Sequence, residues 1–73
     1  MTRTEFADKM ELIIKTYEAK RRRLQYRYNR SFENVGTAEA LLRLNQWYDA
    51  QEVAINKWYG KHLRELSEMG WQE

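Results

Sequence analysis

The chain offers one place to turn. Proline is absent from all 73 residues, and glycine occurs only at 36, 60 and 70. The one cluster of turn-forming residues is Asn34-Val35-Gly36-Thr37. Helix-favouring residues fill the stretches on either side, so the pattern predicts two long helices and no strand.

The first helix is expected over about residues 3–32. Thr2 and Glu5 have capping-box spacing, and Met1 and Phe6 stand where a hydrophobic staple would close the first turn. Phe6, Met10, Ile13, Tyr17, Leu24 and Tyr28 recur at steps of three, four or seven. At about 100° per residue they fall within an arc of roughly 60°, with Ile14 and Phe32 at its edge. Glu5–Lys9, Glu11–Lys15 and Glu18–Arg22 are i,i+4 pairs in the favourable order.

Gly36 is suited to a positive φ in the turn, and Thr37 to capping a second helix whose first turn carries Glu39. That helix is expected over about residues 38–69. Its stripe is Leu41, Leu44, Tyr48, Ile55, Tyr59, His62, Leu66 and Met69, flanked by Trp47, Trp58 and Leu63. Gly60 falls on the outer face, tolerated there or marking a break. Gly70 stands where a left-handed ending belongs, with Trp71 placed to fold back on Leu66.

Two helices of about 45 Å joined by a short loop make an all-α antiparallel hairpin, a single domain over residues 1–73. Folding at Asn34/Gly36 sets opposite each other positions whose numbers add to about 70. Ile13 then faces Ile55 and Tyr59, Leu24 faces Leu44 and Tyr48, and Arg21 comes near Asp49 and Glu52. The apolar arc of the second helix spans about 160°, wider than one partner helix covers. A chain this short buries only about 60% of its unfolded surface. With no cysteine to supply disulfides, a homodimer forming a four-helix bundle is expected, with Trp47, Trp58, Leu63 and Trp71 at its interface.

Charge is unevenly placed. Residues 1–36 hold nine Lys/Arg against five Asp/Glu, a balance of +4; residues 37–73 hold four against six, a balance of −2. The basic half is concentrated in Lys20–Arg30, which has six cations and no carboxylate. Lys20, Arg23, Arg27 and Arg30 follow a 3-4-3 spacing and form a ridge beside the apolar stripe. Arg22 points away toward Glu18, and Arg21 points toward the seam. The plain account of this ridge is a solvated helix face. A second account is a docking surface for a larger protein with an acidic surface, made by Lys20, Arg23, Tyr26, Arg27 and Arg30, because arginine and tyrosine are favoured interface anchors. A third is a phosphate-binding ridge for DNA or RNA, with Tyr26 or Tyr28 stacking on bases. Net charge +2 is modest for the third.

Chemistry is not expected. His62 is the one histidine and sits on the stripe as a core or interface residue; no cysteine or second histidine backs it as a metal ligand. Asp49 and Glu52 lie near Arg21, which favours their charged forms over the proton-exchanging ones general acid–base work needs. No nucleophile motif or Gly-rich phosphate loop is present, so neither a catalytic site nor a cofactor is expected. No apolar run reaches the roughly 18 residues of a membrane span. The expectation is a small cytoplasmic regulatory, adaptor or inhibitor protein that works by binding.

Overall fold

The structure, a computed structural model, describes residues 1–70. It is the expected all-α hairpin: α1 (Arg3–Phe32) and α2 (Ala38–Met69) run antiparallel and pack along their length. The Cα trace measures 57 × 17 × 7 Å, two rods side by side with two broad faces.

Both helices start at the threonines that the sequence singles out. The Thr2 hydroxyl accepts the Glu5 N–H at 3.2 Å, and the Thr37 hydroxyl accepts the Ala40 N–H at 3.1 Å. Each satisfies one of the amide donors a helix start leaves unpaired. Of the three i,i+4 pairs expected on α1, Glu11–Lys15 is formed, at 2.9 Å. α2 passes through Gly60 without a break. At its end the Gly70 N–H bonds the Leu66 carbonyl at 3.2 Å, and Gly70 takes φ 65° and ψ −174°, a region essentially restricted to glycine. Trp71, expected to fold back there, lies outside the described residues.

The turn differs from expectation at Gly36, which does not take a positive φ; Gly70 is the glycine that does. α1 runs on past its last full turn instead. The Asn34 N–H bonds Ser31 and the Val35 N–H bonds Phe32, both across three residues, and the Asn34 side chain donates to the Arg30 carbonyl. Thr37 then caps α2 two residues after Val35, so the reversal needs no left-handed residue.

That extension also moves the register. Tyr17 pairs with Asn56, Arg21 with Glu52, Gln25 with Tyr48 and Tyr28 with Asn45, positions whose numbers add to 73 rather than 70. The chain reverses about one and a half residues later than Asn34/Gly36 folding implies. Ile13 accordingly shares a groove with His62 and Leu66, and Leu24 with Gln51 and Ile55.

The core is thin. Leu24 (5% exposed) and Leu66 (2%) are the two buried hydrophobic side chains among the described residues. Around them the seam is half-buried and aromatic. Tyr17 meets Tyr59 edge-on at 4.1 Å between centroids, and Tyr28 meets Tyr48 edge-on at 4.9 Å. Phe32 stacks on Tyr28 at 6.1 Å but stays largely exposed.

Candidate binding face

The two broad faces have different chemistry because each helix presents a different flank to each. On α1 the positions just before the buried stripe in helical phase are Lys20, Arg23 and Arg27; the positions just after it include Met10, Ile14, Arg21 and Tyr28. The first flank makes a cationic face and the second a neutral one.

On the cationic face, side chains of α1 reach across to tryptophans of α2. Lys20 Nζ lies 5.0 Å from the centre of the Trp58 ring, and the Arg27 guanidinium carbon lies 5.0 Å from that of Trp47. Both distances are within the range where a cation is held by the ring's negative face. The long stems of lysine and arginine also cover apolar ring surface while the charge stays in water. Between these two clamps Lys20, Arg23 and Arg27 border a groove floored by Leu24 and Ile55, with Gln51 on the far bank. Arg23 is exposed and has no partner among the described residues. Lys20 and Arg23 border another depression on the outer side as well, with Lys15, Thr16 and Ala19.

Arg30 does not join the groove. Its Nη1 donates to the Tyr26 hydroxyl at 3.0 Å and its guanidinium lies 5.8 Å from the same ring. Tyr26 is 61% exposed, so this pair extends the cationic arc outward over the back of α1. Among the described residues, none of Lys20, Arg23, Arg27 and Arg30 makes an ion pair with a carboxylate.

Toward the open end of the hairpin the same face becomes apolar. Leu12, Ile13, Leu66 and Met69 line a second groove, edged by Lys9 and Glu65. Leu12 and Met69 are both largely exposed on its rim. His62 lines this second groove, with its ring 4.5 Å from Trp58 and Nδ1 3.9 Å from Glu65 Oε2. Among the described residues no group of His, Asp or Glu gathers as a metal site, and no helix is long and apolar enough to cross a membrane.

The neutral face is held by tyrosines and amides. The Tyr17 hydroxyl donates to Asn56 at 3.3 Å, Tyr28 to Asn45 at 2.8 Å and Tyr48 to Gln25 at 3.3 Å. Arg21 donates to the Tyr17 hydroxyl at 3.2 Å and reaches Glu52 at 4.0 Å. Its guanidinium is held above the ordinary arginine value, first by the hydrogen bond to Tyr17, with Glu52 adding to it. Asp49, the other carboxylate expected near Arg21, is exposed.

The residues expected at a self-association surface are divided. Trp47 and Trp58 lie beneath the cations of the cationic face, whereas Leu63 follows Tyr59 by four residues and shares the Tyr17–Tyr59 side. Trp71 lies outside the described residues. What periodicity arguments overlooked is a repeat of eleven. Asn45-Gln46-Trp47-Tyr48 returns as Asn56-Lys57-Trp58-Tyr59, Leu44 and Ile55 lead to Leu66, and Phe6 leads to Tyr17 and Tyr28. Eleven residues make about three full turns, so contacts at one level recur three turns on without the left-handed winding that a heptad imposes. The two Tyr–Asn rungs and the two tryptophans are the visible result.

No family model, curated protein or solved structure matches the chain.

Proposed function

We propose that this hairpin is a small, non-enzymatic, cytoplasmic interaction module, a regulatory, adaptor or inhibitor protein, that engages a larger protein through its cationic face. The observation that supports this is the groove bordered by Lys20, Arg23 and Arg27: three cations without a carboxylate partner among the described residues, set around an apolar floor of Leu24 and Ile55. A surface so built suits an acidic partner that brings apolar side chains along with its charge. Carboxylates meet the cations, apolar groups enter the groove, and the second groove beside Leu12 and Met69 lengthens the apolar track. Interfaces draw most of their affinity from a few such arginine and aromatic anchors. The cation–ring contacts hold Lys20 and Arg27 in place beforehand, which lowers the ordering cost of binding.

The exposed side chains of Arg23 and Tyr26 support a second reading, in which the same face binds the phosphates and bases of DNA or RNA. Trp47 and Trp58 contribute less to that reading, because Arg27 and Lys20 already lie over their rings. A pull-down from the native host with and without nuclease separates the two. A partner retained after nuclease, and released by salt, is expected. If instead capture depends on intact nucleic acid, and binding to duplex DNA shows a log K against log salt slope near about −3 for three neutralised phosphates, the second reading replaces the first.

A further inference from the structure

We propose that the hairpin pairs with a second copy of itself through the neutral face, with the turns of both copies at the same end and α1 of each over α2 of the other, so that Arg21 and Glu52 of each copy meet Glu52 and Arg21 of the other. The first support is surface area. The chain exposes 5919 Å², whereas a compact monomer of this length exposes about 4,850 Å². The excess, roughly 1,000 Å², matches the approximately 800 Å² that each partner buries in a stable complex. Two buried leucines among the described residues are also little core for a chain of 73 residues.

The second support is charge, which selects the face. Two copies meeting through the cationic face would bring two sets of Lys20, Arg23 and Arg27 together, six cations against one Glu65 carboxylate from each copy. Near the centre of the neutral face stand one cation and one carboxylate, Arg21 and Glu52, each within about 5 Å of the middle of its helix along the axis. A two-fold axis that lies in the interface, midway between the two helices and parallel to them, sets each charge against its opposite in the other copy, which is the self-complementarity a symmetric dimer requires. Within one chain the pair is loose, 4.0 Å apart with side chains 41% and 36% exposed, so both groups keep capacity for a further partner. Met10, Ile14 and Leu63, all half-buried, flank this centre in helical phase and supply its apolar contact.

The test is sedimentation equilibrium on the full chain at tens of micromolar. The wild type is expected to be a dimer; a monomer overturns the proposal whatever any variant does. Arg21→Glu and Glu52→Arg should each weaken self-association at least tenfold, because like charges then meet across the axis. Mixed one to one, the two variants should associate as a heterodimer near wild-type strength, although the internal pair stays broken in both chains. Variants that dimerise like wild type, or a mixture no tighter than its components, contradict the assignment. Arg23→Glu, on the opposite face, should leave the dimer unchanged, and its loss there would move the interface to the cationic face.

Discussion

Lys20 on α1 and Trp58 on α2 are tied across the hairpin, with the ammonium 5.0 Å from the ring centre. The contact assigns two roles to one residue: Lys20 seals the edge of the seam, and its charge still faces solvent beside Arg23. A double-mutant cycle of Lys20→Met and Trp58→Leu, read by urea unfolding, should give a coupling of about 0.5–1 kcal/mol, the range for a partly exposed cation–ring pair. Coupling near zero would mean that the cation only hovers there.

Leu24→Ala should be among the most damaging single changes. Leu24 is one of two buried hydrophobic side chains among the described residues, and removing it leaves a hole between two rods that have few neighbours to collapse inward. A loss of about 2–5 kcal/mol is expected. Leu42→Ala or Val53→Ala, at exposed positions, should stay within about 0.5 kcal/mol. Thermal melts followed by far-UV circular dichroism check the contrast.

Gly60→Ala should stabilise the protein. The glycine lies inside α2, and a methyl group there would meet nothing within 4 Å. Alanine favours the helix by about 0.8–1 kcal/mol over glycine, so the urea midpoint should rise. Gly70→Ala should not stabilise, because φ 65° with ψ −174° strains any residue with a Cβ.

Tyr17→Phe and Tyr28→Phe should have similar costs, about 0.5–1.5 kcal/mol each, since each removes one tyrosine–asparagine rung from equivalent levels of the eleven-residue repeat. Tyr17→Phe also deprives Arg21 of its acceptor, so it should be the costlier of the two. Urea midpoints of the two variants against wild type decide this.

Much of the fold is legible in the sequence, for identifiable reasons. Thr2 and Thr37 announce helix starts because a hydroxyl at that position satisfies an amide that nothing else reaches. The 3-4 spacing from Phe6 to Tyr28 fixes which side of α1 is covered. The register was less legible. It depends on whether Asn34 and Val35 prolong α1 through bonds to Ser31 and Phe32, a competition among weak local terms that no residue type decides. For the site, spacing alone places Lys20, Arg23 and Arg27 on one flank. That Lys20 and Arg27 would settle on Trp58 and Trp47 depends on the register, and so required the structure. The repeated Asn-x-Trp-Tyr tetrapeptide carried the missing signal, because it places both tryptophans on one flank of α2 at levels three turns apart.

Arg23 gives the most direct test of the binding face, since its side chain is exposed and has no partner to lose among the described residues. Affinity of the wild type and of Arg23→Glu for the captured partner protein should be measured by titration calorimetry, with a thermal melt of each as control. The account predicts at least a tenfold loss of affinity, about 1.4 kcal/mol, with the melting temperature unchanged. Equal affinities would contradict it and return Lys20, Arg23 and Arg27 to being an ordinary solvated helix face.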